Sequence, residues 1–349
     1  MLFVDNQQIT SPYTNLALEE YLLRNVQTGQ DILLFYINSP SIIIGRNQNT
    51  LEEINQDYVE AYGIHVVRRL SGGGAVYHDL GNLNFSFITR KTQENISNFK
   101  KFTGPVIQAL HGMGVPAELS GRNDVLVDGR KISGNAQYIA GERMVSHGTL
   151  LFNSDLSQVA EALNVKQSKI TSKGIKSVRS RVTNIVDYLA EPMDIAQFRL
   201  RLLDSIFAGS GGGTGGGSGG GSGGGTGGGT WQIPQHKLSE TDWEAVHRLA
   251  RERYQSWDWN YGESPDFNVQ KVHRFPAGEI DARFEVQNGI LQAVRFYGDF
   301  FGQGDVAELE RRLAGIRYSR QELSAALAAM DIGCYFSGLS HEEFLAFLF

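Results

Sequence analysis

His65-Val66-Val67-Arg68-Arg69-Leu70-Ser71-Gly72-Gly73-Gly74-Ala75-Val76-Tyr77-His78-Asp79 places three consecutive glycines between two strand-like runs, with two arginines just upstream. Backbone without side chains can approach a ligand closely and adopt positive φ. Successive N–H groups can then converge on a single anion, and Arg68 or Arg69 can add charge-assisted bonds. The segment lacks the Gly-Lys-Ser/Thr ending of a Walker loop. A flexible turn would account for the glycines alone, but the flanking strands argue against a mere connector. The stretch reads as an anion cradle built on a sheet, and it points to phosphate.

Around this cradle, 349 residues with 41% hydrophobic composition are enough for one large core and a smaller second domain. Met1-Leu2-Phe3-Val4-Asp5-Asn6 does not resemble a secretory leader, and no apolar run is long enough to span a bilayer. The expectation is a cytoplasmic enzyme with no membrane partner. Cys334 is the single cysteine, which excludes an internal disulfide and any thiolate zinc site. Net charge is −6, unevenly divided: residues 1–208 carry 20 Lys/Arg against 20 Asp/Glu, and residues 231–349 carry 12 against 18. Nonspecific nucleic-acid binding needs a basic footprint that is missing here. One local exception is Lys166, Lys169, Lys173, Lys176, Arg179 and Arg181, which follow one another with no acidic residue between them. Taken alone, such a run is most often a solvated surface.

Residues 209–230 consist only of Gly, Ser and Thr and hold 16 of the 41 glycines. This tract reads as a linker with an r.m.s. span of roughly 25 Å, and its regularity looks engineered. Its matches to G-x-G-x-x-G have no strand before them and no helix after, so they are not a dinucleotide fingerprint.

Elsewhere the pattern is that of a mixed α/β domain. Asn15 to Leu23 reads as a helix capped by Thr14 or Asn15. Ile32 to Tyr36 and Ser41 to Ile44 read as strands, and Leu83, Phe85 and Phe87 alternate with Asn82, Asn84 and Ser86 to give an apolar and a polar face. Asp128-Gly129 suits the two-residue turn of a hairpin that gathers Asp124, Lys131 and Asn135. Met144 to Phe152 alternates as a strand. Its His147, taken alone, reads more readily as a structural histidine than as a functional one.

Together, Asn15 to Glu20, Arg68 to Asp79, Gly121-Arg122-Asn123-Asp124, Gly129 to Gly134 and Lys173-Gly174-Ile175-Lys176-Ser177-Val178-Arg179-Ser180-Arg181 resemble the bacterial lipoate-protein ligase family. Trp257 to Gly262 and Gly298 to Gly302 extend the resemblance past the tract in the family's order, so the tract reads as a loop replacement or insertion. The resemblance implies an α+β fold: a mixed-sheet catalytic domain of the class II synthetase and biotin-ligase type over residues 1–262, interrupted by 209–230, then a small α+β accessory domain over 263–349. In the accessory domain, Asn288-Gly289 marks a hairpin, and Asp305 to Leu313, Gln321 to Met330 and His341 to Phe349 read as helices.

The family joins lipoate to ATP and passes the acyl group to a lysine of a lipoyl domain, on a 2-oxoacid dehydrogenase E2 subunit or the glycine cleavage H protein. Carried over residue by residue, the resemblance places ATP and adenylate at Arg69, Gly72, Gly73, Gly74, Ala75, Val76, Tyr77, Lys131, Lys173, Gly174, Ser177, Val178 and Arg179. It places lipoate at Tyr36, Arg68, Ser71, His78, Lys131, Gly134 and His147. Lys131 is expected to be the electrostatic clamp in both steps, because both build negative charge. Asp124 is expected to contact Mg²⁺ or to orient the amine, and Asp124 and His147 remain the two candidate bases. A monomer is implied. An acyltransferase working through a thioester needs a thiol at the site, and Cys334 lies far along the accessory domain. A noncatalytic lipoate binder is the rival from another class; Lys131, the cradle and the cationic stretch together argue against it.

Overall fold

A computed structural model describes residues 1–48, 50–163, 181–209, 233–261, 269–287, 289–318 and 320–348. Most of the cationic stretch and the Gly/Ser/Thr tract lie outside them, and with these the expected contacts Lys173, Gly174, Ser177, Val178 and Arg179. Gly209 belongs to the end of a helix, Ile195–Gly209, and not to the tract.

The chain opens with β1 (Leu2–Asp5), the helix Pro12–Arg24 and β2 (Ile32–Ile37). A small sheet follows from β3 (Ser41–Ile44), β4 (His65–Arg68) and β5 (Val76–His78), in the order β4-β3-β5. The main sheet resumes with β6 (Asn82–Arg90) and, after the helix Phe99–Gly112, with β7 (Glu118–Ser120), β8 (Asp124–Val127), β9 (Arg130–Ala140) and β10 (Arg143–Leu151). Its order is β1-β2-β6-β10-β9-β8-β7. β1 and β2 run parallel, while β2 to β6 and the pairs beyond are antiparallel.

β2 is almost wholly apolar because both faces of the sheet are covered. One face packs Phe3, Leu33, Phe35, Leu83 and Phe85 against the helices Phe99–Gly112 and Ile195–Gly209. The other packs Leu34, Tyr36, Ile88 and Val145 against Leu18 and Leu22 of the first helix and against Val246 and Ala250 from beyond the tract. Each fully buried leucine or phenylalanine contributes about 1.5–3 kcal/mol relative to exposure.

The reading of the first helix needs correction. The first helix starts at Pro12, with Ser11 as cap, because a proline at the first position loses no helix bond. Asn15 lies inside it and spends its amide on the Ile9 and Ile37 carbonyls and on Asn38. The polar face of β6 does not meet water: Asn82, Asn84 and Ser86 are all buried.

The Asp128-Gly129 turn behaves as its sequence requires, with φ of 49° and 73°, the paired positive values of a type I′ connection.

Residues beyond the tract return to the first part of the chain. The backbone N–H of Phe3 donates to Pro234 and its carbonyl accepts from His236. A capping box at Ser239 opens the helix Glu240–Leu249, and Tyr254 donates to the buried Glu20 at 2.9 Å.

The last part has its own core beneath β11 (Val269–Phe275), β12 (Gly278–Gln287) and β13 (Ile290–Gly298), which form an antiparallel sheet. The helices Val306–Leu313, Arg320–Leu327 and His341–Leu348 complete it. It meets the loop that follows β3: the Gly298 N–H donates to the Asn47 carbonyl at 2.7 Å.

Candidate active site

β3, β5, β6, β9, β10 and the accessory sheet surround a cavity of about 600 Å³. Leu16, Tyr36 and Ile43 line it from one buried cluster, with Val76 packed alongside. Arg69, Arg122, Lys131, Arg181 and Arg274 also line it, against the carboxylates of Asp124 and Asp299. Five cations against two anions, beside an apolar wall, suit an amphipathic ligand with a strongly negative head.

The glycine loop is shaped by Arg69. Its guanidinium donates to the carbonyls of Ile43, Gly72 and Gly74 at 3.0, 2.7 and 2.9 Å, and to Ser71 Oγ at 3.0 Å. These bonds satisfy the loop's carbonyls from behind. Gly73, at φ 93°, turns the chain in a region that L side chains rarely adopt. A Cβ on Gly72 would lie 2.7 Å from the Phe300 carbonyl, so the accessory domain closes directly on the loop. Burial lowers the Arg69 guanidinium to about 10, which still leaves it charged at neutral pH.

Behind the apolar wall runs a buried polar chain. Ser71 Oγ meets His147 Nε2 at 2.7 Å, and His147 Nδ1 lies 2.9 and 3.0 Å from the two oxygens of Glu19. Glu19 also accepts from Ser86. Burial alone would raise the Glu19 carboxyl, but His147, Ser86 and Arg69 overcome it and hold the group below its usual range. Nδ1–H therefore donates to the carboxylate. Burial, reinforced by Glu19, pushes the Tyr36 phenol well up, so it remains a hydroxyl.

His78 is buried, and its Nδ1 accepts from Asn38 at 3.0 Å. Among the described residues its other ring nitrogen has no partner, although the side chain lines the cavity. Burial, then Arg69 and His147, lower this imidazole to about 3. It therefore offers a neutral N–H to a ligand acceptor.

Lys131 Nζ pairs with Asp124 at 2.8 Å, both side chains being partly exposed. A register shift places Val125 opposite Ser133 but Leu126 opposite Lys131, and such a bulge re-aims the side chain that follows. The Lys131 backbone is fixed from its other edge as well, its N–H donating to the Arg181 carbonyl at 2.7 Å and its carbonyl accepting from the Thr183 N–H at 3.0 Å.

The cavity gathers Tyr36, Arg69, Gly73, Gly74, Ala75 and Val76 among the expected residues, and also His78, Asp124, Lys131, Gly134 and His147. Others fall elsewhere. Arg68 turns away: its guanidinium donates to the carbonyls of Gly45, Arg46, Gln48, Trp259 and Asn260 and to Thr50 Oγ1. It ties segments together and is not among the residues that line the cavity. Tyr77 also points away, because strand alternation carries its ring into the cluster with Ile42 and its hydroxyl to Gln158. Gly72 and Ser71 support the wall from behind. Sequence reasoning missed Glu19, Arg122, Arg274 and Phe301 as parts of the site. Glu19 carried a signal, since a carboxylate inside the buried stripe of a helix needs a partner.

Residues 11–207 match the family model described as "Lipoyl protein ligase A/B catalytic domain", and residues 264–348 match "Bacterial lipoate protein ligase C-terminus". The chain is 52% identical to "Lipoate-protein ligase LplJ" of Bacillus subtilis, with 100% of each chain covered. The chain belongs to the lipoate-protein ligase family. Another member, "Lipoate--protein ligase 1" of Staphylococcus aureus, is 45% identical over 99% of both chains. Among solved structures, lipoate-protein ligase A bound with ATP aligns with a TM-score of 0.59 at 27% identity, covering 75% of this chain and 97% of that one. The bipartite lipoate protein ligase of Thermoplasma acidophilum, solved with its E2 lipoyl domain, aligns at 0.62 and 28% identity, covering 77% and 98%. Among the described residues of this ligase-family chain, no helix is long and apolar enough to cross a membrane.

Proposed function

We propose that this cavity carries out both halves of a lipoate-protein ligase reaction, activating lipoate with ATP and passing the lipoyl group to a lysine of an E2 lipoyl domain or H protein. One observation carries the reading: Lys131 and the glycine loop line a single cavity whose far wall is apolar. In the first half, a carboxylate oxygen of lipoate bonds the α-phosphorus and pyrophosphate leaves. In the second, the acceptor amine attacks the acyl carbonyl and AMP leaves. Negative charge develops near the same atoms in both, and a fixed ammonium stabilises each.

The apolar wall at Leu16, Tyr36 and Ile43 suits the acyl chain, and the unpartnered His78 N–H suits an acceptor oxygen. Of the two candidate bases, Asp124 is favoured. His147 is engaged at both nitrogens, whereas Asp124 is partly exposed beside Lys131. Mg²⁺ accompanies ATP and neutralises phosphate charge. Among the described residues, no three His, Cys, Asp or Glu side chains gather to cage a metal ion. Asp124 as the protein contact suits an ion otherwise held by phosphates and water.

Cys334 does not line the cavity, and burial, then Asp331 and Glu308, push its thiol up. That disfavours a thioester acyltransferase. The test is mass spectrometry of an acidic lipoyl domain incubated with the protein, lipoate, Mg²⁺ and ATP. A lipoyl mass gain that needs ATP is expected; a gain without ATP only when a lipoyl thioester replaces free lipoate, its thiol leaving, would make the protein a transferase, and no gain with either donor a binder.

A further inference from the structure

We propose that Arg274, contributed by the accessory sheet, binds the β- and γ-phosphates of ATP and stabilises them as they leave as pyrophosphate. This rests on the ligase reading above. Arg274 is the penultimate residue of β11, beside the turn to Gly278, and lines the same cavity as Lys131 and the glycine loop. Its side chain is 58% exposed, and its two ion pairs are loose: Nη2 lies 3.6 Å from Asp299 and Nη1 lies 4.0 Å from Glu279. These distances hold the charge in place yet exceed hydrogen-bond length.

Three of the other four cations that line the cavity are more committed. Arg69 donates to the loop carbonyls, Lys131 pairs with Asp124, and Arg122 stacks 3.7 Å over the Phe301 ring. The accessory wall also abuts the cradle itself, since Phe301 comes within 3.5 Å of where a Gly73 Cβ would stand. A cation on this wall therefore faces phosphate.

The chemistry calls for such a cation. As the lipoate oxygen bonds the α-phosphorus, the bond from that phosphorus to the bridging oxygen breaks, and its electron pair stays on the β-phosphate. Charge rises on the leaving group while Lys131 is occupied at the α-phosphate, so a second fixed cation lowers the barrier. The acyl-adenylate has no β- or γ-phosphate, so Arg274 has no task in the transfer half.

The test is Arg274→Ala, with pyrophosphate release measured against ATP and against lipoate, and transfer measured from presynthesised lipoyl-adenylate. The expected result is a loss of roughly ten- to a hundredfold in kcat/KM for ATP, with the KM for lipoate unmoved and transfer retained. Arg274→Lys should recover part of the loss. Arg311→Ala, which removes an accessory-domain cation that does not line the cavity, should not reproduce it. Unchanged ATP kinetics, equal loss of both halves, or the same defect in Arg311→Ala would overturn the proposal. Calorimetric titration with magnesium pyrophosphate separates the two readings: weaker binding by Arg274→Ala in a protein inert toward lipoate would keep the subsite and remove the ligase.

Discussion

His78 shows how one buried side chain ties stability to acidity. Its folded-state value of about 3 lies below the 6.5 of an ordinary histidine, so between those limits the unfolded chain binds the extra proton. Its contribution is present above about pH 6.5 and is lost as pH falls toward 3, with a slope of up to ~1.4 kcal/mol per pH unit. Urea unfolding from pH 7 to pH 4 should therefore show a steeper loss for the protein than for His78→Gln; parallel curves would contradict this. Lys131 is a different case, exposed enough to be replaced without loss of the fold. Lys131→Ala should cost about a hundredfold or more in both adenylate formation and transfer, measured as pyrophosphate release and as lipoyl mass gain. Normal pyrophosphate release from a folded variant would remove Lys131 from its role. Arg68 should divide the other way. Arg68→Lys should destabilise by about 2–4 kcal/mol, because a lysine cannot reach carbonyls from so many directions, yet leave the KM for lipoate unchanged. Thermal unfolding together with lipoate kinetics would check both halves of that statement.

At the level of elements, what could be read in the sequence was whatever depends on neighbours along the chain. The Asp128-Gly129 turn and the strands on either side of the glycines follow from local periodicity and backbone freedom. The polar edge of β6 could not be assigned that way, because alternation reports two faces without saying what covers them. Here Asn84 donates to the Tyr36 carbonyl and Ser86 serves Glu19, so both polar positions face partners and not water. Arg68 and Arg69 make the same point. Adjacent in sequence, they point to opposite sides because strand geometry alternates, and only the fold shows which one reaches the cavity. Arg122 and Arg274 were illegible as a pair, since they meet only when the accessory sheet docks.

On the scale of the whole molecule, the Gly/Ser/Thr tract joins two segments that both pack on the main sheet: Phe198, Leu202 and Ile206 before it and Ile233 after it belong to one core. Loop-closure cost changes by only about 0.6 kcal/mol on halving a flexible loop. A version with the tract shortened by half should keep kcat/KM within about twofold in steady-state assays, and a large loss would mean the tract has a task of its own. Arg68 carries a consequence for the order in which the protein can be made. Its guanidinium is shared between Gly45, Arg46 and Gln48 on one side and Trp259 and Asn260 on the other. A nascent chain that has left the ribosome only as far as residue 209 holds that arginine with two of its six acceptors, the carbonyls of Trp259 and Asn260, still missing. The grip on that charge is completed only once translation has passed Asn260.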